Sequence, residues 1–225
     1  MPKAEWRLFL PTDSGGQLPL EAQMMLALVD HVSPAPRTDI YIKADADVGV
    51  KRRGGGGLEF KALKERKTVG DGVKLGVAET FGKVRLGEGA TTADVLEHLR
   101  KEETAASATG RGDDKAGGAV SKVLEALMTK PLEVNVEKSV RKVDVDVSGG
   151  KGKASFEATD VTVGFVDMPE GTSKKWLTFC AEGSLECIEA FLKERGEPLV
   201  ALLSRSETHQ VGYPRFVEMV STPRT

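Results

Sequence analysis

Apolar and polar residues alternate in several short stretches of the chain, as they do in strands with one buried face. In residues 4–10, Trp6 and Leu8 fall on one face of such a strand. Glu5 and Arg7 fall on the opposite face. Further strands are predicted at 37–42, 47–53, 58–63, 132–147, 154–166 and 175–182. The pattern therefore predicts a large antiparallel sheet.

The clearest local signal is a hairpin over residues 47–63. Four consecutive glycines at 54–57 separate two runs that are rich in β-forming residues. Glycine readily adopts the positive φ angles of tight turns, so this run favours a reversal of the chain. Residues 64–90 are less regular, and short strands are predicted there at 73–77 and 83–86.

Apolar residues three and four positions apart predict helices outside the sheet. Ser184 is placed to cap the start of one helix, and Gly196 to stop it. Pro34 and Pro36 are expected to end the first helix. The predicted helical segments are 19–32, 92–103, 119–129, the segment between Ser184 and Gly196, and a helix or turn over 213–220.

Composition narrows the class of protein. The chain has 225 residues, of which 40% are hydrophobic and 29% charged, as in an ordinary globular domain. The net charge of −2 gives no global field that would attract duplex nucleic acid or a membrane surface. Cys180 and Cys187 are too few for a disulfide framework, and the sequence shows neither a signal peptide nor an apolar run of about 20 residues. We therefore expect a cytoplasmic protein with one domain over 1–225, and we interpret the glycine-rich stretch 104–118 as a loop within it.

Charged residues fall inside the predicted strands at spacings that place them on shared faces. Because side chains alternate with a period of two, Lys51 and Arg53 share one face. Glu59 and Lys61 share a face of the next strand. A sheet with one solvated face would show the same alternation. If helices covered the outside of a barrel, however, these charges would point inward and could bind an extended anion.

The charged strands follow one another in a recognisable order. The segments are Arg37 to Tyr41, Lys51 to Arg53, Leu58 to Lys61, Glu137 to Arg141, Phe156 to Asp160, Trp176 to Glu182 and Gly212 to Pro214. In this order they resemble the strands of the CYTH, or triphosphate tunnel, family. The resemblance spans most of the chain and rests on the order of the segments rather than on any single motif.

The resemblance implies an α+β fold, in which an antiparallel β-barrel forms a tunnel and helices pack outside it. It also implies a small phosphorylated ligand, either a triphosphate or a nucleotide, and hydrolysis with Mg²⁺ or Mn²⁺. The basic residues expected to bind phosphate are Lys51, Arg53, Lys61, Lys138 and Arg141. The carboxylates expected to hold the metal are Glu59, Glu157 and Glu182. No catalytic side chain is assigned.

Two positions depart from the family pattern and leave alternatives open. Arg7 and Ser184 stand where the resemblance leads us to expect glutamates. Replacing a glutamate by arginine removes a metal ligand and adds a repelling charge, so weak or altered metal binding is expected. The chain is accordingly interpreted either as a metal-dependent triphosphatase or as a binder without activity. A sheet with a solvated charged face is the third alternative. The segments 64–90 and 104–118 are expected to set selectivity.

Overall fold

The computed structural model describes residues 3–12, 17–45, 47–54, 57–70, 75–87, 94, 97, 101, 133–148, 152–165 and 173–221. Within these ranges the strands are β1 Ala4–Pro11, β2 Ala35–Asp45, β3 Val48–Arg53, β4 Gly57–Thr68, β5 Val77–Leu86, β6 Glu133–Val147, β7 Gly152–Phe165 and β8 Lys174–Gly183. The helices are α1 Leu20–Leu26, α2 Leu185–Arg195, α3 Glu197–Leu203 and α4 Tyr213–Ser221. Residues 94, 97 and 101 are also helical.

The eight strands of the described residues form a closed barrel. Around the barrel their order is β1-β5-β4-β3-β2-β6-β7-β8, so β1 lies between β5 and β8. The pairs of β1 with β5 and β8, of β3 with β2 and β4, and of β7 with β8 are antiparallel. Closure leaves no strand with an unpaired edge. The predicted antiparallel β-barrel of an α+β protein is thus confirmed.

The chain forms two compact units. The first comprises Met1–Arg37, Leu63–Phe81 and Val136–Gly212. The second comprises Thr38–Ala62, Gly82–Asn135 and Tyr213–Thr225. The single domain expected over 1–225 stays a prediction.

The core of the first unit lies between one face of the sheet and the helices. Trp6, Phe156 and Phe179 are fully buried on this face. The ring of Phe156 lies 5.3 Å from that of Phe191 in α2 and 6.1 Å from that of Phe179. Burial of each such side chain contributes about 1.5–3 kcal/mol. Because these apolar residues face the helices, the residues between them in sequence face the other way, as the alternation of β1 predicts.

The helix after β8 begins and ends as predicted. The Ser184 hydroxyl accepts a hydrogen bond from the Cys187 N–H at 3.2 Å, and Gly196 follows the last helical residue. The short helix α3 then starts at once, which the sequence pattern did not predict.

The first helix is shorter than predicted. It ends at Leu26, and residues 27–31 form turns. The N–H groups of Leu28 and Val29 bond carbonyls only three residues earlier, at Met25 and Leu26, so the chain tightens out of the α-helix. Pro36 lies inside β2 rather than after a helix.

In the second unit, β2, β3 and β4 form a meander with one apolar face. The predicted hairpin is confirmed, since β3 and β4 pair antiparallel from Val48 opposite Ala62 to Arg53 opposite Gly57. The apolar cluster on this face contains Ile42, Val48, Val50, Leu58 and Phe60.

The region after the hairpin differs from the prediction. β4 continues to Thr68, and a ten-residue strand, β5, contains the strand predicted at 83–86. Of the strand predicted at 73–77, residues 75 and 76 lie in no strand, Val77 begins β5, and 73–74 lie outside the described residues. The segments 104–118 and 119–129 lie outside the described residues, as does most of the predicted helix 92–103. No helix among the residues described is long and apolar enough to cross a membrane.

Candidate functional site

A group of charged side chains lies on the polar face of β2, β3, β4 and β5 in the second unit. The strand register explains why they meet. Asp39 lies opposite Arg53, and Lys51 lies opposite Glu59. Arg85 of β5 reaches the same carboxylate. We call these five residues, Asp39, Lys51, Arg53, Glu59 and Arg85, the basic cluster.

Lys51 is the buried centre of the basic cluster. Its Nζ lies 3.1 Å from Glu59 Oε1 and 3.3 Å from Asp39 Oδ2. Burial removes water from the ammonium group and lowers the pKa of Lys51 to about 8, although Asp39 and Glu59 act in the opposite direction. Burial alone would raise the pKa of Glu59, but Lys51, Arg53 and Arg85 outweigh it and lower that pKa to about 2. Glu59 is therefore an anion throughout the physiological range.

The two guanidinium groups of the basic cluster differ in how tightly they are held. Arg85 donates a hydrogen bond from Nε to Glu59 Oε2 at 2.7 Å, and 69% of its side chain is exposed. Arg53 lies 3.6 Å from Asp39 Oδ1 and 3.7 Å from Glu59 Oε2, beyond a good hydrogen bond. Its Nε makes no hydrogen bond within the described part of the chain. Since 38% of the Arg53 side chain is exposed, its donors can reach a ligand.

The basic cluster carries more positive than negative charge. Three basic side chains surround two carboxylates, Asp39 and Glu59. Lys61 adds positive charge nearby, because its repulsion contributes to the lowered pKa of Lys51. A partly exposed guanidinium within such an excess of positive charge is suited to bind carboxylate or phosphate oxygens.

One side of the basic cluster is covered by the start of α4. The ring of Tyr213 stacks on that of Tyr41 at 5.5 Å, and Lys51 Nζ lies 5.5 Å from the centre of the Tyr41 ring. A Cβ atom at Gly49 would lie only 2.9 Å from Pro214 Cγ, so the close approach of the helix requires glycine. The cluster is therefore buried near Lys51 and becomes accessible towards Arg53 and Arg85.

A second set of charges lies on the polar face of the first unit. It consists of three ion pairs, which we call the paired cluster: Arg7 with Glu157, Lys142 with Glu182, and Arg66 with Glu79. The nitrogen–oxygen distances are 3.4 Å, 3.0 Å and 2.8 Å respectively. Each of these pairs joins one carboxylate to one basic side chain.

The pair of Arg7 and Glu157 is the most enclosed part of the paired cluster. Only 5% of the Arg7 side chain is exposed. Thr159 donates a hydrogen bond to Glu157 Oε1 at 2.9 Å, and Arg7 Nη1 lies 3.5 Å from the Thr178 hydroxyl. Burial would raise the pKa of Glu157, but Arg7 and Thr159 outweigh it and lower the pKa. Arg7 is thus fixed inside a hydrogen-bonded setting.

Three glutamates of the first unit face one another across neighbouring strands. Glu5 in β1 lies directly opposite Glu79 of β5 on one side and Glu182 of β8 on the other. Like charges in directly opposite positions repel. Arg66 and Lys142 offset this repulsion at Glu79 and Glu182. Attraction to Glu182 raises the pKa of Lys142, although burial acts against it.

The predicted phosphate-binding residues are divided between the two units. Lys51 and Arg53 lie in the basic cluster, and Lys61, opposite Gly49, is on the same face. Lys138 is buried in β6 of the first unit. Arg141 pairs with Asp160 at 3.0 Å.

Arg141 therefore lies on the opposite face of β6 from its neighbour Lys142, which reaches Glu182. Asp160 and Glu157 are an odd number of residues apart in β7 and so face opposite ways. Sequence reasoning missed Lys142, Arg66 and Arg85. Lys142 could have been found, because it is a basic residue next to Arg141 in an alternating strand and must lie on the face opposite to Arg141. The phosphate-binding roles remain predictions.

The predicted metal-binding carboxylates are engaged by basic side chains in this arrangement. Glu59, Glu157 and Glu182 each lie against a basic side chain. In the parts of the chain that the structure describes, no three His, Cys, Asp or Glu side chains come together in a group that could hold a metal ion. A divalent cation would have to displace ammonium or guanidinium groups, so the residues as placed do not fit Mg²⁺ or Mn²⁺. Their metal-binding role remains a prediction.

The chain was compared with protein families, curated proteins and solved structures. No protein-family model matches the chain, and no curated protein matches it. Among solved structures, the chain is similar to an adenylyl cyclase candidate from Hippeastrum that is described as having a dominant triphosphatase activity. The two chains are 12% identical, with 86% of this chain and 88% of the other covered and a TM-score of 0.35. The assignment of the barrel rests on the strand order of this chain itself.

Proposed function

We propose that the protein is a divergent relative of the triphosphate tunnel family that binds a small phosphorylated anion at the basic cluster. The order of the charged strands supports the family relationship. The observation that carries the binding site is the placement of Arg53. Its side chain is partly exposed, is held among the described residues by long ion pairs, and is set in an excess of positive charge. Arginine in such a setting binds phosphate oxygens through paired hydrogen bonds.

Burial of the charges favours a binding site over a merely solvated face. Asp39 is fully buried, and Lys51 is only 5% exposed. Charges on an ordinary solvated face remain in water, because burying them is unfavourable. A buried set of charges beside accessible ones is instead typical of sites arranged in advance for a ligand. The third alternative from the sequence is therefore disfavoured.

Each residue of the basic cluster would have a different role in binding the anion. Arg53 and Arg85 would donate hydrogen bonds to phosphate oxygens at the accessible side. Lys51 would add positive charge from within, while Asp39 and Glu59 hold the basic side chains in place. Each charge-assisted hydrogen bond contributes about 1.5–3 kcal/mol. α4 would limit how far the ligand enters, because Tyr213 covers Tyr41 beside Lys51.

Hydrolysis with Mg²⁺ or Mn²⁺ is the further activity implied by the resemblance. Among the described residues no arrangement favours it, since the carboxylates that would hold the metal are engaged by basic side chains. Phosphate release from tripolyphosphate, measured in the same samples as binding, separates a binder from an enzyme.

The test is calorimetric titration with tripolyphosphate of the unmodified chain, Arg53→Met and Arg52→Met. Arg52 is a matched control, since it is the neighbouring arginine on the other face of β3 and pairs with Glu133 at 3.1 Å. We expect Arg53→Met to weaken binding by about tenfold or more, equivalent to about 1.4 kcal/mol. Arg52→Met should leave the affinity within about twofold. Equal affinities of all three proteins for tripolyphosphate would contradict the assignment of the binding site to the basic cluster.

A further inference from the structure

We infer that the protein takes its ligand as the metal-free polyphosphate anion and not as a complex with Mg²⁺ or Mn²⁺. The inference rests on the proposed function and specifies the form of the ligand. It follows from what the carboxylates on the two polar faces already bind.

In the basic cluster, both oxygens of Glu59 are engaged. Oε1 lies 3.1 Å from Lys51, and Oε2 accepts the hydrogen bond of Arg85 at 2.7 Å. A divalent cation at Glu59 would have to displace one of these groups. It would also enter a region where basic side chains already outnumber carboxylates, so repulsion opposes it.

In the paired cluster, too, a divalent cation would have to compete with basic side chains for the carboxylates. Glu157 holds Arg7, Glu182 holds Lys142, and Glu79 holds Arg66. Arg7 is buried and cannot move into water without leaving Glu157 behind in a buried place. In both units a basic side chain thus engages at least one oxygen of each of these carboxylates, and a metal ion would have to compete with it.

These contacts determine which form of the ligand is bound best. A polyphosphate bound to Mg²⁺ carries two fewer negative charges than the same polyphosphate alone. Its attraction to a fixed excess of positive charge is weaker. The ion also occupies phosphate oxygens that would otherwise accept hydrogen bonds from Arg53 and Arg85. Magnesium should therefore compete with the protein for the ligand.

The experiment is a titration of the full chain with tripolyphosphate in EDTA and in excess Mg²⁺, with ionic strength matched by KCl so that screening is equal. We expect binding in EDTA and a loss of affinity of at least about fivefold in Mg²⁺. A parallel titration of the chain with MgCl₂ alone should show no binding.

The outcomes separate the two proposals. Binding that requires Mg²⁺, or is as tight with Mg²⁺ as without it, overturns the inference and leaves the proposed function standing. Binding of Mg²⁺ by the chain alone also overturns it. Absence of tripolyphosphate binding in both buffers overturns the proposed function, and the inference falls with it.

Discussion

The basic cluster and the paired cluster are built by the same alternation of side chains along strands, yet they differ in how basic side chains and carboxylates are matched. In the paired cluster each ion pair joins one carboxylate to one basic side chain, and Arg7 is buried. In the basic cluster three basic side chains share two carboxylates. Arg53 and Arg85 are partly exposed, as are Lys142 and Arg66 of the paired cluster. Alternation alone thus does not identify a binding site. We propose that incomplete neutralisation next to solvent marks the binding site.

The largest effect should come from breaking the buried pair of the first unit. Arg7→Met would leave Glu157 buried without its basic partner, which typically lowers the free energy of unfolding by about 3–5 kcal/mol. Arg141→Met is the control, because its partner Asp160 is largely exposed and such pairs contribute about 0–1 kcal/mol. Urea unfolding of both variants measures the difference. Equal losses in the free energy of unfolding would show that the pair of Arg7 and Glu157 stabilises the fold no more than an exposed ion pair does.

Acid should weaken the second unit through Glu59. Its pKa is lowered from 4.5 to about 2 in the folded chain, so the stabilisation is fully present above pH 4.5 and is lost as the pH falls towards 2. The free energy of unfolding should therefore fall more steeply between pH 5 and 2 in the unmodified chain than in Glu59→Gln. Parallel pH curves would contradict the role given to Glu59.

The contact of α4 with the basic cluster can be tested at a glycine. Gly49→Ala places a methyl group 2.9 Å from Pro214 Cγ, and we expect it to lower the free energy of unfolding by about 1–3 kcal/mol. Gly164→Ala is the matched control in another strand, where nothing lies within 4 Å of the added atom. Thermal unfolding distinguishes them. If Gly49→Ala unfolds at the same temperature as the unmodified chain, α4 is not packed closely against β3.

The smallest expected effect is on tripolyphosphate binding by Arg85→Met, which is compared with Arg53→Met of the same cluster. Arg85→Met should weaken tripolyphosphate binding by only about two- to fivefold, because its Nε is engaged by Glu59 and the exposed group is well hydrated. Arg53→Met should weaken binding more. Calorimetry on both variants gives the order, and a larger loss at Arg85 would reverse the roles assigned to the two arginines.

Local patterns in the sequence predicted much of the fold. The alternation in β1 assigned Trp6 and Glu5 to opposite faces, and the glycine run between β3 and β4 predicted their hairpin. That hairpin brings Lys51 opposite Glu59. The cap at Ser184 was also predicted and confirmed. Each of these features depends on residues close together in the sequence, so local chemistry was sufficient.

Features that depend on distant strands were not predicted. Glu5 meets Glu79 and Glu182 only because closure of the barrel places β1 between β5 and β8. The sequence pattern assigned Arg141 to the polar face, whereas the structure places Lys142 there. The difference depends on the register of the long strand β6, because a shift of one residue moves every side chain to the opposite face. The ion pairs that engage Glu59, Glu157 and Glu182 depend on both kinds of information.

The most direct test of the account is a crystal structure of the chain grown with tripolyphosphate in the absence of divalent metal. The account predicts phosphate oxygens within hydrogen-bonding distance of the Arg53 guanidinium, with the pairs of Arg7 with Glu157 and Lys142 with Glu182 intact. Tripolyphosphate bound against Arg7 or Lys142 with the basic cluster empty would contradict it.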